Sequence, residues 1–240
     1  MKVTVVMPAW NEAEGIEGFL EELDSALAEW TTEFIVVDDR STDGTALSAR
    51  AAGQGGVRVS VLPNDMNRGH GPSTMRALRA GLASGADIIV AIDGDGQFLG
   101  PDVRRVVAVL AEGTGQVVEG VRSGRGEAAY RRATSEVTRA LVWTRARRLP
   151  ADANTPLRAY RPEVLGRLLD RVPPDAMTPN LIISALSRKW DVPLVEVPVA
   201  SRPRRGASAH GTTWGARRAS LPSRRFVEFC LRATGEWVRL

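Results

Sequence analysis

Short apolar runs alternate with stretches of helical periodicity along the first 120 residues. Val3–Met7 is a β-branched run that ends at Pro8. Residues 13–29 then place Ile16, Phe19, Leu20, Leu23 and Leu27 on one helical face. Phe34–Val37, Val57–Leu62, Ile88–Ile92 and Gln116–Val121 read as further strands. Between them the spacing predicts three helices. One is capped by Thr42 or Asp43 and runs to Ala52, one opens at Gly71-Pro72, and one starts at Pro101. Proline is tolerated in a first turn. Buried strands separated by helices predict an α/β fold, a mostly parallel central sheet flanked by helices.

The second half is less regular. Residues 128–148 read as a basic helix, Thr155–Tyr160 as a strand, 162–171 and 178–189 as helices, and Leu194–Val199 as a last strand. Residues 201–225 hold seven arginines and no acid, broken by Pro203, Gly206, Gly211, Gly215 and Pro222. That pattern predicts an exposed, flexible loop or tail. Beyond it, Phe226, Phe229, Cys230, Ala233 and Trp237 share one helical face, read as core, dimer contact or membrane contact. Trp143, Trp190 and Trp237 read as packing anchors, and His70 as a residue that shapes its loop.

Composition narrows the class. A chain that is 43% hydrophobic is not disordered. Cys230 is the only cysteine, so no intramolecular disulfide forms, which fits a reducing compartment. No run approaches the roughly 18 apolar residues of a membrane span, and the N-terminal run lacks a leader pattern. The expected location is cytoplasmic, with peripheral contact at the inner face of the membrane. The net charge of +4 hides a split. Residues 1–120 carry 9 basic and 18 acidic side chains, and residues 121–240 carry 23 and 10. A nucleic-acid binder would use the basic half but has no need of the acidic one, so nucleic acid is not the expected partner.

Three polar clusters sit at the C-terminal ends of predicted strands: Pro8-Ala9-Trp10-Asn11-Glu12, Asp38 to Gly44, and Asp93-Gly94-Asp95-Gly96-Gln97. In an open α/β sheet the ligand crevice lies outside those ends, so the clusters should converge. Helix capping explains any one of them more easily than all three. Asp93 and Asp95 suit Mg²⁺ or Mn²⁺ held on a phosphorylated ligand by oxygen donors.

These residues resemble a known family. VVMPAWNE, VVDDRSTDGT, NRGHG and AIDGDGQF are similar, in order and spacing, to the donor half of family 2 glycosyltransferases of the GT-A fold. The resemblance implies a Rossmann-like nucleotide-binding half and inverting transfer from a nucleoside diphosphate sugar. It implies that Pro8, Ala9, Trp10 and Glu12 line the nucleoside pocket, with Asp39, Arg68 and Gly69 beside it. Asp93 and Asp95 would be the acids of the DxD motif, and Gln97 falls where the polyprenyl-phosphate branch, typified by dolichol-phosphate mannose synthase, has a metal-ligating glutamine.

The second half resembles that branch too. EGVRSGRG, RRATS, DANTPLRAYR and EVPVASRPRRGAS point to Arg122, Arg131, Ser135, Asp152, Arg158, Arg202 and Arg205. By resemblance Arg122, Arg131, Ser135, Arg158, Arg202 and Arg205 bind the acceptor phosphate, with Arg131 also in the catalytic set. Pro203 stands where the pattern expects an arginine. The acceptor is then a phosphate-bearing lipid or small molecule. A lipid phosphate needs no strong base, whereas a hydroxyl acceptor needs a carboxylate, Asp152 ahead of Asp175. The implied organisation is a donor-binding half (1–120), an acceptor-binding half of the same domain (121–215) and a basic amphipathic tail (216–240), with a homodimer as one expected state.

Overall fold

The computed structural model describes residues 1–122, 129–206, 232–233 and 235–237, with only the backbone described over 129–135. Seven strands form one sheet: β1 (Lys2–Ala9), β2 (Thr31–Asp38), β3 (Val59–Pro63), β4 (Ile88–Ala91), β5 (Val117–Arg122), β6 (Arg158–Tyr160) and β7 (Leu194–Val199). Their order is β3-β2-β1-β4-β6-β5-β7. The helices are α1 (Ile16–Ala26), α2 (Thr45–Gln54), α3 (His70–Ala83), α4 (Gly100–Ala111), α5 (Ala129–Ala146), α6 (Pro162–Leu169) and α7 (Pro179–Lys189).

The period of two in β1 divides the core. Val3, Val5, Met7 and Ala9 pack with Phe19, Leu20 and Leu23 of α1, Ala49 and Ala52 of α2, and Val103, Val106 and Leu110 of α4. Val6 turns the other way, into a layer with Met75 and Leu78 of α3, Val142 of α5, Leu165 of α6 and Ile182 of α7. Both faces of the sheet are therefore covered, and the central strands β1 and β4 are buried along almost their whole length, as strands inside a parallel sheet require.

β1 pairs in parallel with β2 and β4, and Ala9 lies opposite Asp38, so these strands deliver their ends to one rim. β6 is antiparallel to both β4 and β5. It is also shorter than the strand expected over Thr155–Tyr160. Pro156 has no N–H for a ladder, and the Thr155 hydroxyl donates to the Gly120 carbonyl at 2.5 Å. The α2 cap also shifts: Asp43 Oδ1 accepts the Thr45 N–H at 3.0 Å, while Gly44 takes the left-handed φ of 88° that starts the helix.

The arginine-rich segment departs from expectation where it is described. Residues 201–206 run as a strap across the Asp95–Gln97 loop, with Arg202 N–H donating to the Gln97 carbonyl at 2.9 Å and Arg205 N–H to the Asp95 carbonyl at 3.2 Å. The rest of the predicted tail, with Phe226, Phe229 and Cys230, lies outside the described residues. Trp237 is buried, as an anchor should be, while Trp143 is 43% exposed and is not one. Among the described residues no helix is long and apolar enough to cross a membrane.

Candidate active site

The loop after β1 is stitched to the loop after β2. Asn11, at φ 56°, accepts the Thr42 N–H on Oδ1 at 2.9 Å, and its own N–H donates to Ser41 Oγ at 3.0 Å. Glu12 N–H donates to Thr45 Oγ1 at 2.8 Å, and Ala13 N–H to Asp43 Oδ2 at 3.1 Å. These bonds turn Glu12 inward, where it is buried, and leave Trp10 exposed at the rim.

Asp39, one residue beyond β2, is buried and organises the loop before α3. Its Oδ1 accepts from Asn64 Nδ2 at 2.7 Å and from the Arg68 N–H at 2.8 Å, and its Oδ2 accepts the Gly69 N–H at 2.9 Å. The predicted set Asp39, Arg68 and Gly69 is thus brought together, but through the backbone. The Arg68 guanidinium turns away and pairs with Asp65 at 2.8 Å.

β4 delivers the third cluster. Gly94 N–H donates to the Pro8 carbonyl at 3.2 Å, and a Cβ on Gly94 would stand 3.0 Å from that oxygen. The close approach draws the β4 loop against β1. Asp93 Oδ1 lies 3.5 Å from His70 Nε2, at the start of α3. Asp95 Oδ1 accepts the Gln97 N–H at 3.1 Å, and Gln97 Nε2 donates to the Arg202 carbonyl at 3.4 Å.

The acids repel one another, and Glu12 and Asp95 are largely shielded from water. Burial, reinforced by Asp95, Asp93 and Asp43, pushes Glu12 up to about 7 against the pull of Arg204. Burial and Asp93 push Asp95 up to about 6, again against Arg204. Such a site favours an incoming cation. Among the described residues no three His, Cys, Asp or Glu side chains form a metal cage. Mg²⁺ on a diphosphate does not need one, since it takes one or two carboxylates and completes its shell with phosphate and water. Asp93, Asp95 and Gln97 fit that requirement.

The second half rearranges the predicted acceptor set. Arg122, at the end of β5, grips Asp152 through Nε–H to Oδ2 at 2.7 Å and Nη2–H to Oδ1 at 3.1 Å. Arg158 is a correction. Its guanidinium is fully buried, 3.0 Å from an equally buried Glu119, and donates to the Thr155 and Ala153 carbonyls. No acceptor phosphate reaches it. Glu119 also receives Arg188 at 2.7 Å, which continues to Glu196 at 2.7 Å. Tyr160, beside Arg158, is pushed up to about 12 by burial. This network is scaffold, holding the loop that carries Asp152.

The guanidiniums of Arg202 and Arg205 both pair with Glu22 of α1. The side chains of Arg131 and Ser135 lie outside the described residues. Asp175 lines a separate groove with Pro63, Arg68 and Arg76. The residue missed by sequence reasoning is Arg204, which hydrogen-bonds Glu12 Oε1 and lies 3.5 Å from Asp95 Oδ2. Its signal was the arginine missing at position 203, displaced by one residue.

The family model described as Glycosyl transferase family 2 matches residues 4–168. An undecaprenyl-phosphate 4-deoxy-4-formamido-L-arabinose transferase of Serratia proteamaculans is 32% identical over 174 residues, covering 70% of this chain and 52% of that protein. The Klebsiella pneumoniae protein of the same name is 29% identical over 199 residues, covering 81% and 59%. The chain therefore spans little more than half the length of these relatives. Among solved structures, glucosyl-3-phosphoglycerate synthase from Mycobacterium tuberculosis, in complex with Mn²⁺, uridine diphosphate and phosphoglyceric acid, superposes with a TM-score of 0.64 at 24% identity, covering 98% of this chain and 78% of that one. Mannosyl-3-phosphoglycerate synthase from Rubrobacter xylanophilus gives a TM-score of 0.64 at 16% identity, covering 100% and 74%. This chain has the GT-A fold and belongs to glycosyl transferase family 2.

Proposed function

We propose that this chain transfers a sugar, with inversion, from a nucleoside diphosphate sugar to the phosphate of a polyprenyl phosphate. The observation that carries the reading is the gathering of Glu12, Asp39, Asp93 and Asp95 from three strand ends at one rim, with Glu12 and Asp95 poised to receive positive charge. Pro8, Ala9, Trp10 and Glu12 bound the nucleoside side, and the Asp39-held loop with Gly69 closes it. Asp93, Asp95 and Gln97 would hold Mg²⁺ or Mn²⁺, which when bound neutralises the departing diphosphate.

The acceptor assignment rests on the relatives, named as undecaprenyl-phosphate transferases, and on Asp152. Both carboxylate oxygens of Asp152 are engaged by Arg122. A carboxylate held that way is braced, not poised to take a hydroxyl proton. A phosphate monoester arrives already anionic and needs no such base. Arg122, Arg131 and Ser135 are the residues we assign to it, Arg122 through the Nη1 left outside its pair with Asp152. A lipid acceptor places the enzyme at the cytoplasmic membrane surface.

The test is product formation, followed by mass spectrometry, from UDP-, GDP- and dTDP-sugars with Mn²⁺. Each donor is offered a polyprenyl phosphate, the matching polyprenol, or a small hydroxyl acceptor. Transfer to the phosphate alone supports the reading. Transfer to a hydroxyl with none to phosphate contradicts it.

A further inference from the structure

The strap 201–206 is fastened at several points. Two backbone bonds tie it to Asp95 and Gln97, and Arg202 Nε–H donates to the Gly96 carbonyl at 2.7 Å. Glu22 receives both Arg202 and Arg205. Arg205 also fills a cradle of glycines: a Cβ on Gly15, Gly18 or Gly96 would stand 2.7, 2.9 or 2.9 Å from an Arg205 side-chain atom. Strap and cradle fix the residue between them.

That residue is Arg204. Its guanidinium lies between Glu12 and Asp95, which belong to different strand ends. Its Nε–H is buried and makes no hydrogen bond. An unsatisfied buried donor in a native site calls for an explanation. Here the placement is set by charge: among the described residues Arg204 is the cation that reaches both Glu12 and Asp95, while His70 lies against Asp93.

A divalent ion on Asp95 and a guanidinium beside Asp95 and Glu12 compete for the same negative charge. With the ion present, Arg204 gains nothing by staying unless an anion accompanies it. We infer that Arg204 is the resident counter-cation of the donor site, which holds metal affinity low until a nucleoside diphosphate supplies phosphate for both cations. Metal and nucleotide would then bind together, with neither favoured alone. This rests on the metal assignment above.

The test is Mn²⁺ titration by electron paramagnetic resonance of the free ion, on the full chain, with and without UDP, GDP or dTDP. Wild-type protein should bind Mn²⁺ weakly alone and much more tightly with the matching nucleotide. Arg204→Gln should tighten nucleotide-free Mn²⁺ binding on the order of tenfold, as removal of a neighbouring unit charge predicts, and shrink the nucleotide's effect. Arg204→Lys should stay near wild type. Glu22→Gln, which loosens the strap away from the acids, should shift nucleotide-free binding in the same direction as Arg204→Gln. If Mn²⁺ binds with nucleotide but both neutral variants leave nucleotide-free affinity unchanged or weaker, the inference about Arg204 falls and the metal site stands. If wild type binds no Mn²⁺ with any nucleotide, both fall.

Discussion

Arg158 and Glu119 meet 3.0 Å apart with neither side chain touching solvent. Burial works against the guanidinium's charge, and Glu119, Tyr160 and Asp152 together outweigh it, holding Arg158 above its usual range. Removing one partner of such a pair strands the other. Glu119→Leu should therefore destabilise the fold by about 3–5 kcal/mol, because it strands the buried Arg158 charge and leaves Arg188 with Glu196 alone among the described carboxylates. Urea unfolding followed by circular dichroism checks this. A loss under about 1 kcal/mol, the scale of an exposed pair, would remove the network from the scaffold.

Asp39 gives a different kind of prediction, because its carboxylate is spent on the backbone of the Arg68-Gly69 turn. Asp39→Ala leaves those part-buried N–H groups and the buried Asn64 amide without this acceptor, a cost of about 1–3 kcal/mol. Hydrogen exchange at Arg68 and Gly69 should accelerate, and nucleotide affinity should fall on the order of tenfold as the turn loosens. Unchanged exchange at both amides would show that the turn holds itself.

Glu12 sets a pH dependence. Its carboxyl titrates at about 7 in the fold against 4.5 as an ordinary glutamate. Between those values the folded chain holds a proton that the unfolded chain has released. Stability from this group is therefore present below pH 4.5 and lost as pH rises through 7. Other groups add their own slopes, so the comparison is with Glu12→Gln. Wild type minus variant should show Tm falling as pH rises from 4.5 to 7, without metal or nucleotide. A flat difference curve would contradict the burial assigned to Glu12.

Much of this was legible in the sequence where the signal is local. The apolar runs gave the strands, and the polar residues ending Val3–Met7, Phe34–Val37 and Ile88–Ile92 did converge, because parallel strands in adjacent register must end at one rim. Residues whose role depends on distant partners were not legible. Arg158 sits in a motif-like string, and nothing local reveals that Glu119 of β5 buries it. Arg202 and Arg205 find Glu22, and Arg204 finds Glu12, across almost the whole chain. An arginine-rich, glycine-broken stretch has the composition of a solvated tail. Only the acids and glycines waiting on α1 and β4 make residues 201–206 a strap.

The proposed handling of a nucleoside diphosphate sugar by the strand-end acids, through a divalent ion, is tested most directly by the rate of sugar transfer to polyprenyl phosphate, with saturating Mn²⁺, by wild type and Asp95→Ala. Loss of several kcal/mol of charge stabilisation predicts a drop of about a hundredfold or more in the variant. Turnover within a few-fold of wild type would contradict the account.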